Sequence, residues 1–436
     1  MKRPVIIGLL IVALTLVCMG IVAVAFFRIA SNNFATNDPF DVRNISSVLE
    51  ESKTLKVDSE KPITLGVTSE AGNVTITGAD VEDVQVKAIK TAYDSSQARA
   101  DAEVKGVQYS IEQNGNAITL TYAIPESMNF SNNINTVDFI VTVPAGVTVD
   151  VDAGTGEVNV SGTEGDVTIV NSFGDIDLEN LAGELNVETQ SGRVDASSIR
   201  AGNSNIRLDS GFGTISLSKV TGADIVINSN SGALEVDDVR ASGDMELASG
   251  FGNVSFANSS ANSLTISTQS GAVDVSSVNI DGELTVESGF GNIDLENVTA
   301  ASFNLQTDSG TIFIDGMQGS VKAQSGFGSI TITNAENATL DLNTNSGEVD
   351  FAGTLGEGPH NIHSDFGEIH VSIPADSALN VNLDTDFGKI RSEIPITVTL
   401  SGDLSEAEQE GTMNGGGSEF IVSTSSGSIT INVLGE

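Results

Sequence analysis

Three sets of side chains have a type and spacing that could do chemistry: a periodic series of phenylalanines, recurring carboxylates and three clustered histidines. The phenylalanines stand in a repeated tetrad, Ser-Gly-Phe-Gly or a close variant. They fall at Phe173, Phe212, Phe251, Phe290, Phe327 and Phe366, separated by 39, 39, 39, 37 and 39 residues, and a further variant ends at Gly388. An aromatic row along one edge could bind a polysaccharide or a hydrophobic partner. The preferred expectation is instead a structural corner ladder packed under the turn, with Ser191, Ser231, Ser270, Ser309 and Ser346 taking the equivalent place in alternate units.

The carboxylates recur three residues past a glycine corner, at Asp177, Asp195, Glu235, Asp274, Asp294 and Asp350, mixed with Ser216, Ser255 and Thr331. Carboxylates one unit apart could share Ca²⁺, a hard ion that takes several oxygen ligands, which makes Asp177, Asp195, Asp274 and Asp294 calcium candidates. A solvated acidic face is the simpler account, because the Gly-Gly-x-Gly-x-Asp calcium repeat is absent. His360, His363 and His370 suggest a transition metal only superficially. Pro359 places the first in a turn, the other two flank inward Ile362 and Ile369, and no thiolate is at hand, so surface histidines are expected.

No phosphate loop, dinucleotide fingerprint, nucleophile elbow or zinc-hydrolase motif occurs, and from residue 151 onward only eight basic residues could assist a carboxylate base. No catalytic residue, cofactor or metal site is expected, and the chain reads as a non-enzyme. Its charge excludes another class. The 59 acidic residues outnumber 19 basic ones for a net charge of −40, and a surface so acidic repels phosphate, so nucleic-acid binding is not expected. The single cysteine, Cys18, rules out a disulfide framework within one chain.

The elements that must position these residues follow from a second glycine series, Gly192, Gly232, Gly271, Gly310 and Gly347, halfway between the phenylalanines. The unit is therefore close to 20 residues. After each glycine corner comes apolar-x-apolar, an apolar residue three on, a turn, then apolar-x-apolar-x-Ser/Thr: Ile293, Leu295, Val298, then Phe303, Leu305, Thr307. Period-two alternation gives strands with one apolar face, and no such unit can bury that face alone. The fold expected is all-β, a parallel β-solenoid (β-helix) of about 20-residue coils, although a 39-residue, four-stranded coil would also fit the spacing.

Ahead of the repeat, Lys2 and Arg3 precede an uncharged run from Pro4 to Phe27, closed by Arg28. As a helix it would span about 36 Å, more than the roughly 30 Å of bilayer hydrocarbon. The preferred organisation is a transmembrane signal-anchor over 1–30 and a linker and N-terminal β region or cap over 31–150, with a short helical candidate around Ser95 to Val104. A repeat solenoid over 151–372 and C-terminal coils and cap over 373–436, with a flexible loop at 401–417, complete it. The protein would then be a single-pass protein of the cell membrane with its C-terminal domain extracytoplasmic. Cleavage near Ala25 would secrete it instead, and lipid attachment at Cys18 is disfavoured because Leu16-Val17 lacks a small residue before the cysteine.

The segment Phe139-Ile140-Val141-Thr142-Val143-Pro144-Ala145-Gly146-Val147, leading into Gly154-Thr155-Gly156-Glu157-Val158, resembles the bacterial adhesin-like family, a β-strand-repeat domain of unknown function. The serial Ser-Gly-x-[Ile/Val] units and the ending Thr424-Ser425-Ser426-Gly427-Ser428-Ile429 are similar to it as well. The resemblance implies an adhesin-like interaction or scaffold protein that meets an unknown surface glycan or protein. An envelope-stress or signalling accessory acting through a membrane partner is the alternative, and a glycan-active β-helix enzyme the third.

Overall fold

The fold is seen in a computed structural model that describes residues 45–125, 134–398 and 407–435. The expected anchor over 1–30, with Cys18 and Ala25, lies outside the described residues; among those described, no helix is long and apolar enough to cross a membrane.

Parallel pairing builds the stack. Val167–Phe173 pairs with Leu185–Ser191, that strand with Ile206–Phe212, and that one with Ile225–Ser231, a step of about 20 residues each time. The coil is thus the shorter of the two that the spacing allowed. Phe173 is in register with Ser191, and Ser191 with Phe212, so the two corner types alternate up the stack. A second strand in each coil stacks likewise, putting Ile176, Val194, Ile215, Leu234, Val254 and Val273 in one buried aliphatic column. β-Branched side chains suit such columns because their stiff χ1 packs well on a pleated surface.

The apolar residue three positions on, which breaks strict alternation, has a backbone cause. Asn180, Ser198, Lys219, Asp238, Asn258, Ser277, Asn297 and Asn334 all have φ between 50 and 59°. In these coils a left-handed residue shifts the phase, so that Leu178 and Leu181, or Leu295 and Val298, both face inward.

At both ends the coil order departs from chain order. Thr64–Ser69 and Val74–Ala79 form a coil lying between Ala117–Tyr122 with Thr136–Pro144 on one side and Thr148–Thr155 with Val158–Ser161 on the other. At the far end Ser418–Thr424 and Ile429–Val433 insert between the coil His360–Ser364 with Ile369–Ile373 and the coil Leu379–Thr385 with Ile390–Ser392. Antiparallel strands then cover the outer coils. Asp83–Asp94 pairs with Thr136–Pro144 and Ile45–Lys56 with Asp83–Asp94, while Glu408–Met413, within the stretch expected to be a flexible loop, pairs with Leu379–Thr385. Such cover keeps a parallel stack from templating further strands. The expected helix is Gln97–Gly106, with Ala100 and Val104 buried and its face set against Ile45–Lys56 and Asp83–Asp94.

Candidate functional site

The glycine corners set the geometry of the edge. A Cβ added to Gly252 would lie closer than 3.0 Å to the carbonyl oxygen of Gly232, and the same holds for Gly271 over Gly252, Gly291 over Gly271 and Gly328 over Gly310. Only glycine allows backbones to stack so closely. Inside the corner sits the Ser/Thr that ends the preceding strand: the Ser249 hydroxyl donates to the Gly232 carbonyl at 3.0 Å and accepts the Gly252 N–H at 2.9 Å. Ser325 repeats this with Gly310 and Gly328 at 2.9 and 2.8 Å. The earliest corners differ, since Gly174, Gly192 and Gly213 have φ of 137 to 147° and the Thr189 and Ser210 hydroxyls find no partner.

With hydroxyls and stacked backbone filling the inside, no room remains there for a ring. The phenylalanines accordingly point outward, correcting the expectation that they pack under the turn. Phe173, Phe212, Phe251, Phe290, Phe327 and Phe366 are 55 to 72 % exposed, whereas the strand-interior Phe256, Phe303 and Phe351 are buried. Phe387 joins the row at 81 % exposure. Its position only 21 residues after Phe366 hid it from the 39-residue spacing. In space the Ser426 corner stands between the two, because the Phe387 N–H donates to Ser425 and the Ser426 N–H to Asp365, and alternation is kept.

The first glycine of each Ser-Gly-Phe-Gly tetrad forms a second stacked column. Gly211, Gly250, Gly289 and Gly326, each just before a phenylalanine, press on the backbone of Gln190, Asn230, Gln269 and Asp308 in the coil before. Those four polar side chains, with Asn345, are exposed. The edge therefore repeats every two coils, about 9.6 Å: a phenylalanine, then a carboxamide or carboxylate beside serine. Beside Phe290 runs a groove of about 800 Å³ lined by Asn228, Asn230, Gln269, Glu287, Gln306 and Asp308. Its signal, a polar residue before each alternate Ser-Gly, was present in the sequence.

The carboxylate row is outward as expected, and register brings Asp177 beside Asp195 and Asp274 beside Asp294. Arg193 occupies the first pair, 3.5 Å from Asp177, 3.7 Å from Asp175 and in contact with Asp195. A guanidinium already neutralises those oxygens. The second pair has a carboxylate environment instead: burial, then Asp274 and Glu296, hold the Asp294 carboxyl above the usual range. Asp350 is raised by burial and by Glu348, with His370 opposing. Glu235 stands between Ser216 and Ser255 and forms no acidic pair in the row.

The histidines part company. His360 is fully buried, correcting the expectation of a surface residue: period two with Ile362 and Ser364 turns it inward, where its Nδ1 accepts the Leu340 N–H at 3.4 Å and Nε2 has no partner. Burial, with the Gly356 backbone opposing it, holds its pKa below the ordinary 6.5. His363 and His370 do face outward. His370 Nε2 lies 3.0 Å from Glu348 and 3.3 Å from Glu368, a two-carboxylate, one-imidazole set that could hold a metal ion. His363 links Ser423 at 2.8 Å to Asp365 at 3.1 Å, the connectivity of a hydrolytic triad. The Ser423 strand, however, pairs on both sides, so its N–H groups are drawn into the sheet rather than gathered to receive an oxyanion.

A family model described as Toastrack DUF4097 matches residues 63–261, 212–289 and 254–432. The resemblance read from the sequence agrees with it. Among solved structures, the chain is similar to a candidate cell adhesion protein from Clostridium sporogenes at 11 % identity and TM-score 0.19, covering 88 % of this chain and 99 % of that one. It is also similar to a candidate adhesin from Bacteroides fragilis at 17 % identity and TM-score 0.26, covering 61 % and 96 %. No curated protein matches the chain.

Proposed function

The chain belongs to the Toastrack DUF4097 family, and we propose that it is a non-enzymatic, adhesin-like interaction protein that binds through the phenylalanine edge of its solenoid. One observation carries this: seven phenylalanines, from Phe173 to Phe387, stand exposed in a single row on a rigid, glycine-stacked corner. Exposing rings costs hydrophobic stabilisation, and nothing in the corner's packing requires a ring there, since serine serves equally in alternate coils. An array of like stations on one line suits an extended partner gripped at several points. The N-terminal apolar run would hold this array at the membrane with the solenoid outside, and the acidic outward face would keep it soluble there.

The test is adsorption to bacterial envelope preparations by the parent chain and by a Phe251→Ser/Phe290→Ser/Phe327→Ser variant. The variant should melt as the parent does and lose most of its adsorption. Equal adsorption by both would remove the edge from the binding surface.

A further inference from the structure

We propose that the edge takes a polysaccharide of neutral or amine-bearing sugars, laid along the stack with its rings against the phenylalanines; this rests on the edge being the binding surface. The two-coil repeat supplies both halves of sugar recognition. An exposed phenylalanine offers an apolar face of negative quadrupole to the C–H side of a pyranose. The next coil offers Gln190, Asn230, Gln269 or Asn345, whose carboxamides donate and accept at once and so match paired hydroxyls. A hydrophobic protein partner would want a contiguous apolar patch, and here serines and carboxamides separate the rings at every step.

Periodicity points the same way. Rings about 9.6 Å apart along the stacked corner present like stations at a spacing comparable to two pyranose rings in an extended chain. A polymer of one repeating unit can meet each station in the same way, and every added station turns a weak contact into an intramolecular one. The stations are preorganised, because glycine stacking fixes the backbone under each phenylalanine.

Charge selects among glycans. The chain carries −40, and Glu287 and Asp308 line the groove beside Phe290. Uronate or phosphate-bearing polymers are repelled from such a surface, while an ammonium group gains from both the carboxylates and the ring faces.

Affinity electrophoresis of the full-length chain through gels holding a soluble neutral β-glucan, an N-acetylglucosamine polymer, a glucosamine polymer or polygalacturonate tests this. Retardation is expected in at least one of the first three and not in polygalacturonate. Phe251→Ser/Phe290→Ser should weaken it by about tenfold, and Gln269→Ala by a smaller factor. Retardation by polygalacturonate alone, or by none of the four, overturns the proposal, as does equal retardation of the phenylalanine variant. Should envelope adsorption still depend on the phenylalanines when no polymer retards the chain, the edge stands and the sugar class falls. If that adsorption ignores them too, the edge itself falls.

Discussion

Gly388 stacks on Gly427, not on Gly367, which is nearer in sequence: a Cβ on Gly388 would strike the Gly427 carbonyl, and one on Gly427 the Gly367 carbonyl. The last coil in the sequence is therefore the penultimate coil in space. Deleting 418–436 should strip amide exchange protection from Leu379–Thr385 and Ile390–Ser392 as well, because both lose their parallel partner. Retained protection there would show that the outer coil does not depend on the inserted one.

Gly252→Val should destabilise the stack by about 3 kcal/mol or more, since the new side chain meets the Gly232 carbonyl, a backbone atom that cannot swing aside. Thermal and denaturant melts check it. An unchanged melting temperature would contradict the stacked corner.

Phe251 and Phe256 lie five residues apart and should respond very unequally. Phe251→Ser, at a 66 % exposed site, should change stability by no more than about 0.5 kcal/mol. Phe256→Ala, fully buried, should cost about 3–5 kcal/mol. Comparable losses at the two sites in chemical denaturation would mean that the corner ring is packed after all.

What the sequence made legible was what local period sets: a repeat near 20 residues, the inward aliphatic columns and the hydroxyl before most corners, with a short helix around Ser95 to Val104 beside them; whether a coil holds one repeat or two shows only in the strand pairing. The direction of the phenylalanines was not legible either, because counting by twos from Ser249 fails where the chain turns, and only the stacked glycine carbonyls show that the inside of the corner is full. The exchanged coils at both ends were also hidden. Like repeats offer like edges, so Ser418–Thr424 can dock on His360–Ser364 as well as the next strand in the chain could. His360 was readable and missed: alternation with Ile362 and Ser364 outweighs the turn that Pro359 suggests.

His360 gives a pH dependence of defined sign. Its folded pKa lies below the ordinary 6.5, so the folded chain keeps the imidazole neutral while the unfolded chain takes up a proton. Its contribution is complete above about 6.5 and is lost progressively as the pH falls towards the lowered value. The parent's melting temperature should thus fall between pH 7.5 and 5 by more than that of His360→Phe. Parallel slopes for the two would mean that the buried imidazole titrates normally.

The central claim is that the phenylalanine row is the binding surface and that its stations act together. Adsorption to envelope preparations, measured for variants with one, two, three and four of Phe212, Phe251, Phe290 and Phe327 changed to Ser, tests it most directly. A stepwise fall with the number removed, whichever positions are chosen, is the result predicted. Full adsorption with all four removed, or its complete loss on changing one particular ring, would contradict it.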